Sequence, residues 1–159
     1  MDLVFQPMDR SSARAIVTWR YPAPYSCYDL GGEDAEETIA FLVDPTNDYY
    51  AITEPLGKLV AYCCFGADAR VPGGNYDAAA LDIGLGVEPG LTGQGQGLRF
   101  VEACMAFARQ SHPATMWRVT VARFNRRARR VWQKAGFRER GSFLRSSDGQ
   151  PFVILVREV

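Results

Sequence analysis

Apolar and polar residues recur with two periods along the first part of the chain, and each change of period marks a new element. Residues 3–6 (LVFQ) predict a short strand, and Asp9 is typical of the N-cap of a helix that runs to about Arg20. Residues 33–44 (EDAEETIAFLVD) return to a helical period with acidic residues in the first turn. Two apolar runs, YYAIT and KLVAYCCF, flank the turn EPLG and predict a hairpin.

The second part of the chain alternates between strands and helices. Its predicted elements are strand 80–87, helix 97–110, strand 116–122, helix 125–135, strand 136–145 and strand 152–158. The whole order is β-α-α-β-β-β-α-β-α-β-β, without an internal repeat or a linker. We therefore expect one domain over residues 1–159, an α/β fold whose mixed sheet is flanked by helices.

The composition excludes several classes of protein. The chain is 47% hydrophobic and 23% charged, and none of its apolar runs approaches the roughly 18 residues that span a bilayer. The N-terminal residues do not resemble a secretory signal, so we expect a cytoplasmic protein that does not enter a membrane. The four cysteines lack C-x-x-C spacing, which favours small core residues over a metal or redox site.

Charge is divided unevenly between the two halves of a chain whose net charge is zero. Residues 1–80 carry 5 Lys and Arg against 12 Asp and Glu, and residues 81–159 carry 13 against 6. The halves therefore have net charges of −7 and +7. This predicts a cationic ligand on the first half and an anionic one on the second, or two surfaces that merely attract each other. A neutral chain without a known binding motif argues against nucleic acid as a partner.

Closely spaced glycines separate the strand at 80–87 from the helix at 97–110. Their spacing, G-x-G-x-G from Gly93 to Gly97, is not the G-x-G-x-x-G of a dinucleotide fold, and Leu98 follows where a nucleotide-triphosphate loop needs lysine. Free amides at the positive end of a helix dipole suit a phosphate or a pyrophosphate. The alternative is a flexible turn without a ligand.

Two motifs together resemble the GCN5-related N-acetyltransferases, the GNAT family. The first is V-x-P-x-x-x-G-x-G-x-G from Val87 to Gly97, and the second is N-x-x-A-x-x-x-W-x-x-x-G-F from Asn125 to Phe137, about thirty residues later. The resemblance implies a mostly antiparallel sheet with acetyl-CoA as co-substrate, bound where the strand that ends at Val87 parts from its neighbour. It also implies direct transfer of an acetyl group to a primary amine in a ternary complex, with neither a metal nor a covalent enzyme intermediate.

The same resemblance assigns the cofactor-binding residues. Pantetheine and the thioester fall on Leu85, Gly86 and Val87, and the Val87 amide is placed to polarise the thioester carbonyl. The pyrophosphate falls on the residues of the glycine segment: Gly93, Gln94, Gly95, Gln96, Gly97 and Leu98. Asn125 and Trp132 match the asparagine and the aromatic position of the second motif, although Asn125 is also a good N-cap.

The chain departs from the family pattern at two positions. Thr92 stands where the family usually has Gln or Arg, so a side chain over the pyrophosphate is lost while the amides remain. Trp132 stands where the family often has a tyrosine that protonates the leaving thiolate, and an indole N–H cannot transfer a proton in that way. Four residues could replace it, although each also fits a core or sheet position: Tyr49, Tyr50, Tyr62 and Ser142.

A general base must take the proton of the acceptor ammonium. Asp82 and Glu88 are the carboxylates nearest to Val87 in sequence, and we rank them equally, with Glu54 as a third candidate. All three also fit the description of ordinary surface carboxylates. Arginines and a lysine on the helix after Asn125 could meet the 3′-phosphate of CoA or form a solvated face: Arg126, Arg127, Arg129, Arg130 and Lys134.

Aromatic and acidic residues in the first half indicate the acceptor. The aromatic residues are expected to line its entry or to pack beneath a loop: Trp19, Tyr21, Tyr25 and Tyr28. The acidic residues would attract a cation or cap the following helix: Glu33, Asp34, Glu36 and Glu37. We expect a small cationic amine as acceptor and a monomer or homodimer. The alternatives are a protein N-terminus or lysine as acceptor, or an acetyl-CoA-binding module with weakened catalysis.

Overall fold

One sheet of seven strands runs through the protein in the order β1-β2-β3-β4-β5-β7-β6. The computed structural model describes residues 2–159. The strands are β1 (Val4–Pro7), β2 (Tyr49–Thr53), β3 (Leu59–Phe65), β4 (Leu81–Val87), β5 (Met116–Ala122), β6 (Arg138–Leu144) and β7 (Pro151–Glu158). The helices are α1 (Arg10–Ile16), α2 (Ala35–Val43), α3 (Gly97–Ser111) and α4 (Arg126–Lys134). The predicted order of strands and helices is confirmed.

The predicted end of the first helix is wrong by about one turn. Asp9 caps the helix as expected, because its side chain accepts a hydrogen bond from the Ser12 amide at 2.7 Å. The helix nevertheless ends at Ile16, and the Trp19 amide donates to the Ile16 carbonyl at 3.0 Å in a tight turn. This turn brings the indole of Trp19 to 6.0 Å from the ring of Tyr62, so tertiary packing overrides the helical pattern of the sequence.

The sheet opens between β4 and β5. These two strands run parallel, whereas all other neighbouring strands in the described sheet are antiparallel. They pair only at their beginnings, where Leu81 lies opposite Trp117 and Asp82 lies opposite Arg118. Beyond these pairs the strands diverge, so the end of β4 has a partner on the β3 side alone. The mixed sheet is the one that the sequence pattern predicts, and its mostly antiparallel order with a parting between β4 and β5 is what the family resemblance implies.

The two faces of the sheet are covered by different helices. On one face α3 and α4 pack over the larger core, whose biggest enclosed side chains are Trp117, Phe100 and Phe137. On the other face α1 and α2 pack over a smaller core that contains Ile16 and Ile39. Burial of these apolar residues is the main stabilising term for both layers.

Candidate active site

The exposed edge of β4 follows from the alternation of hydrogen bonds in its ladder with β3. Val87 lies opposite Ala61, and the bond that closes this end of the ladder runs from the Glu88 amide to the Val60 carbonyl at 2.9 Å. Val87 is therefore a non-hydrogen-bonded position, and so is Leu85 two residues earlier. The backbone N–H and C=O groups of Leu85 and Val87 point away from β3, into the opening between β4 and β5.

Gly86 has a different role from its two neighbours. It lies opposite Tyr62, so its own backbone groups face β3 rather than the opening. A Cβ atom built on Gly86 would lie 2.4 Å from carbon atoms of the Tyr62 ring. The glycine is required here because the tyrosine side chain occupies the space that any other residue would need.

The opening is a cleft of about 100 Å³ between the diverging strands. Residues 83–85 of β4 and residues 119–121 of β5 form its walls, and Tyr28, Asn125 and Trp132 close its sides. A strand-like ligand can enter the cleft and bond to the free backbone groups of β4, in the manner of an added strand. These features fit the pantetheine arm of CoA.

The glycine loop, which we define as residues 92–97, presents a row of unused backbone donors. Among the described residues, the amides of residues 93 to 98 donate to no protein acceptor, because they precede or begin helix α3. Gly93 and Gly95 have φ values of 70° and 76°, a backbone conformation that favours glycine. Consecutive free amides at a helix N-terminus fit a pyrophosphate.

A residue without a side chain is needed at position 97 for a separate reason, which is the packing of α3 against α4. A Cβ atom on this residue would lie 2.9 Å from a methyl group of Val131, so the first turn of α3 could not approach α4 as closely. The third glycine of the segment thus sets the distance between the two helices that flank the cleft.

Asn125 caps helix α4, as the sequence predicts, and it also contacts a tyrosine of the cleft. Its Oδ1 atom accepts a hydrogen bond from the Ala128 amide at 3.1 Å and caps helix α4. Its Nδ2 group donates to the Tyr28 hydroxyl at 3.1 Å, which holds the tyrosine at the side of the cleft. The cap is therefore also part of the cleft wall.

Trp132 lines one side of the cleft and is 6% exposed. Its indole packs edge-to-face against Phe137 with 4.9 Å between the ring centroids. This arrangement makes Trp132 an apolar wall for the cleft, and it gives the cleft no phenol at this position.

Asp82 does not reach the end of β4. Its two oxygens accept hydrogen bonds from Nε and Nη2 of Arg118 at 2.6 and 2.8 Å, and from Nε of Arg70 at 2.8 Å. The carboxylate is 2% exposed, and Asp82 lies three residue steps, about 10 Å along the extended strand, from Leu85. Both observations give Asp82 a structural role, so we do not retain it as the candidate base.

Glu88 lies directly after the exposed edge of β4. One of its oxygens accepts a hydrogen bond from the Gly90 amide at 3.1 Å, and the side chain is only half-buried. Nearby, the Tyr21 hydroxyl donates to the Val87 carbonyl at 2.7 Å. Burial raises the pKa of Tyr21 above its usual range, and the negative charges of Asp29 and Glu88 raise it further.

The four aromatic residues expected around the acceptor divide into two groups. Tyr25 and Tyr28 pack on Phe124, with ring centroids 5.8 and 6.1 Å apart, and so they rest on the start of α4. Trp19 and Tyr21 face the end of β4 from the α1 and α2 side of the sheet. The sequence did not distinguish these groups.

The acidic segment before α2 is partly neutralised by the protein itself. Asp34 caps α2 by accepting a hydrogen bond from the Glu37 amide at 2.9 Å. Glu36 forms salt bridges with Arg14 and Arg10 at 2.8 and 3.0 Å, and these arginines lower the pKa of its carboxyl. Helix capping and ion pairing thus account for Asp34 and Glu36.

Other candidates from the sequence lie at different distances from the cleft. Tyr49 and Tyr62 belong to the layer beside β4, and the Tyr49 hydroxyl bonds to Asp68. Tyr50 packs against Phe107 on the opposite face of the sheet. Glu54 lies in the turn between β2 and β3, and Ser142 lies on the edge strand β6. Tyr49 and Tyr62 thus lie in the same layer as Trp19.

Neither a cluster of metal-ligating side chains nor a helix suited to cross a membrane occurs in the part of the chain that the structure describes. Within residues 2–159, no group of three or more His, Cys, Asp or Glu side chains could hold a metal ion. None of the helices in this range has both the length and the hydrophobicity that crossing a membrane requires.

Comparison with known families decides what the cleft and the glycine loop represent. The family model described as "Acetyltransferase (GNAT) family" matches residues 13–137, which include both walls of the cleft and the whole glycine loop. The chain belongs to the GNAT family. Members of this family are acetyl-CoA-dependent N-acetyltransferases, and acetyl-CoA is the co-substrate.

Solved structures of GNAT acetyltransferases share the fold along almost the whole chain. A spermidine N-acetyltransferase SpeG chimera from Vibrio cholerae and hSSAT has a TM-score of 0.77 at 14% identity, over 99% of this chain and 96% of that one. AAC(6')-Ib in complex with paromomycin and acetyl-CoA also has a TM-score of 0.77, at 17% identity, over 99% and 94%. YncA from Salmonella typhimurium, a GNAT-like structure solved with acetyl-CoA, has a TM-score of 0.66 at 14% identity, over 99% and 94%. No curated protein is similar enough in sequence to count as a match.

Proposed function

We propose that the protein transfers the acetyl group of acetyl-CoA directly to the primary amine of a small cationic molecule. The observation that carries this proposal is the free edge of β4, where both backbone groups of Leu85 and the amide of Val87 face the opening between β4 and β5 without a protein partner among the described residues. The glycine loop lies just beyond the end of the same strand and supplies donors for the pyrophosphate. Acetyl-CoA supplies the activated acetyl group, and the protein holds that group in position for attack by the amine.

The backbone of β4 orients the thioester. An amide at Leu85 or Val87 that points into the cleft can donate a hydrogen bond to the thioester oxygen. This bond strengthens as negative charge develops on that oxygen during attack by the amine. The strand is held by β3 on its other side, so the donor is fixed before the reaction begins.

Glu88 is our candidate for the base that removes the proton from the acceptor ammonium. It is the carboxylate that follows the free edge of β4 directly, and its second oxygen has no protein partner among the described residues. A carboxylate in this place can accept the proton directly or through one water molecule. The leaving CoA thiol has a pKa near 8.5, so it departs at neutral pH with little need of an acid. Trp132 in place of a phenol is compatible with this requirement.

Three observations support a cationic acceptor. The Asp29 and Glu88 carboxylates lie beside Tyr21 and add to the effect of burial in raising its pKa, so two negative charges are available on this side of the site. The aromatic rings of Trp19 and Tyr62 are beside it, and such rings attract cations by about 0.5–1 kcal/mol each at exposed sites. Among the structural neighbours, one is a spermidine N-acetyltransferase and another was solved in complex with paromomycin, and both compounds are amines.

An amine panel tests the proposal. The protein is incubated with acetyl-CoA and with cationic, neutral and anionic primary amines, while free thiol and acetylated product are measured together. We expect the highest kcat/KM for a cationic amine, and a decrease of kcat/KM with salt that exceeds the decrease of kcat, because salt screens exposed charges beyond about 8 Å at physiological ionic strength. A best acceptor that is neutral or anionic would contradict the proposed substrate class.

A second candidate function is an acetyl-CoA-binding module with weakened catalysis. The burial of Trp132 against Phe137 favours it, because the cleft has an apolar wall where a proton donor would assist the leaving thiolate. This candidate predicts tight binding of acetyl-CoA in calorimetry without release of thiol for any amine, peptide N-terminus or lysine in the panel.

A further inference from the structure

The glycine loop offers many amide donors but no positive side chain of its own. The Thr92 hydroxyl donates to the Pro89 carbonyl at 2.8 Å, and the Gln94 side-chain amide donates to the Gly90 carbonyl at 2.7 Å. Both polar side chains therefore stabilise the loop rather than extend from it. A pyrophosphate bound by amides alone would keep its charge without a neutralising partner.

Arg127 on helix α4 lies over this loop. A Cβ atom built on Gly93 would be 2.5 Å from its Nη1 atom, so the guanidinium occupies the space that the missing side chain leaves. Arg127 is also exposed to solvent. The positive charge thus stands at the first of the free amides, although it comes from a different element.

The charge of Arg127 is not neutralised by a carboxylate. Within the described residues it forms neither a salt bridge nor a side-chain hydrogen bond, whereas Arg129, half a turn further on, is paired with Glu139 at 3.1 Å. Arg126 and Arg130 line a different surface of α4 together with Gln133. Arg126 and Arg130 likewise have no carboxylate partner among the described residues, so it is its position over the glycine loop that distinguishes Arg127 from the other arginines of the helix.

The guanidinium of Arg127 stacks on the ring of Tyr25. The guanidinium carbon lies 4.1 Å from the centroid of the Tyr25 ring, within the range of a cation–π interaction. The ring itself is fixed against Phe124, with centroids 5.8 Å apart. The stacking limits the rotation of a long side chain, so less conformational freedom is lost when the guanidinium binds an anion.

We propose that Arg127 binds the pyrophosphate of acetyl-CoA and that Tyr25 is a positioning residue that holds it over the glycine loop. A planar guanidinium can give two parallel hydrogen bonds to phosphate oxygens while the amides of residues 93–98 bind the others. This proposal rests on the proposed function, and it specifies the cation that completes the pyrophosphate site.

Calorimetry with three ligands tests the role of Arg127. The ligands are acetyl-CoA, 3′-dephospho-acetyl-CoA, which keeps the pyrophosphate, and acetyl-pantetheine, which lacks it. Arg127→Gln should bind the first two about 10- to 100-fold more weakly than the unchanged protein, because charge-assisted hydrogen bonds are lost. It should bind acetyl-pantetheine with unchanged affinity. Arg126→Gln removes the same charge from the same helix turn and should bind 3′-dephospho-acetyl-CoA as the unchanged protein does.

Two substitutions at Tyr25 test the positioning role. Tyr25→Leu should weaken the binding of 3′-dephospho-acetyl-CoA about three-fold, and it should have no further effect when Arg127 is already glutamine. Tyr25→Phe keeps the aromatic face and should restore the affinity. A loss for Tyr25→Leu that persists in the Arg127→Gln background would contradict positioning through Arg127.

The outcomes separate this inference from the proposed function. If the unchanged protein does not bind acetyl-CoA, the proposed function fails first. If it binds acetyl-CoA, and a folded Arg127→Gln variant binds each of the three ligands as tightly as the unchanged protein does, the cofactor assignment stands and the role of Arg127 is refuted. An equal loss for acetyl-pantetheine would likewise contradict a contact with pyrophosphate.

Discussion

The hydroxyl of Tyr21 donates a hydrogen bond to the carbonyl of Val87 at 2.7 Å. Tyr21 belongs to the loop after α1, and Val87 is the last residue of β4. The bond therefore joins the acceptor side of the proposed site to the strand that is expected to orient the thioester. It also uses a carbonyl that points into the cleft, so it fixes the direction of the strand edge.

Removing this bond should affect the acceptor more than the cofactor. Tyr21→Phe keeps the ring but loses a hydrogen bond with a typical value of about 1 kcal/mol, so we expect kcat/KM for the amine to fall by about five-fold. The affinity for acetyl-CoA, measured by calorimetry, should change by less than about two-fold. Equal losses in both quantities would show that Tyr21 supports β4 as a whole rather than the acceptor side.

Whether the glycine loop binds an anion can be tested with an isosteric pair of substitutions at Gly95. This residue has a φ of 76°, and a Cβ atom there would have no neighbour within 4 Å. Asn and Asp both tolerate this backbone region better than other residues. Gly95→Asp should weaken acetyl-CoA binding by at least about 100-fold, because it adds a negative charge beside the pyrophosphate, and Gly95→Asn should lose much less. Similar affinities of the two variants for acetyl-CoA would contradict the assignment of the loop to the cofactor site.

Asp82 and Glu88 should give opposite patterns when each loses its charge. Asp82→Asn leaves the buried guanidinium of Arg118 without its partner, so the free energy of unfolding should fall by about 3–5 kcal/mol, as measured by urea denaturation. Its kcat, expressed per folded molecule, should remain close to that of the unchanged protein.

Glu88→Gln, in contrast, should keep the stability and lower kcat by about 100-fold if the carboxylate is the general base. The loss should be smaller above pH 8, where more of the acceptor amine is already neutral. Normal turnover in Glu88→Gln together with a loss in Asp82→Asn would reverse the assignment of the two carboxylates.

Buried phenols predict an unusual sensitivity to alkaline pH. Burial raises the pKa of Tyr49 and of Tyr62 above the value of 10 that a phenol has in the unfolded chain. Above pH 10 the unfolded state therefore binds fewer protons than the folded one, and the free energy of unfolding decreases as pH rises. The decrease is at most about 1.4 kcal/mol per pH unit for each phenol. Tyr62→Phe should reduce this slope above pH 10 and leave it unchanged below pH 8.

The periodicity of the sequence predicted the order of the elements because each amphipathic segment meets a face of one sheet. The motif spacing also located the strand edge and the glycine loop. The sequence could not show that Gly86 differs from Leu85 and Val87, because the direction of a backbone group depends on which residue of β3 lies opposite. Asp82 is a candidate base in the sequence because it is close to Val87 along the chain, and the sequence does not show that Arg70 and Arg118, from distant segments, occupy its carboxylate.

The role of Arg127 had only a weak signal in the sequence. Five basic residues crowd α4, and spacing alone could not tell which of them reaches across to another loop. The contact with Gly93 arises from the approach of α3 and α4, and the stacking on Tyr25 arises from the packing of a loop about a hundred residues earlier in the chain. Only the tertiary structure shows that Arg127, among the basic residues of α4, lies over the glycine loop.

The most direct test of the central claim is an NMR titration of the labelled protein with acetyl-CoA. We predict the largest changes in backbone amide shifts at residues 93–98 and at Leu85 and Val87, whose N–H groups are free, with smaller changes at Gly86, whose N–H faces β3. Acetyl-CoA that binds without perturbing the glycine loop or the edge of β4, or that perturbs Gly86 more than Leu85 and Val87, would contradict the account.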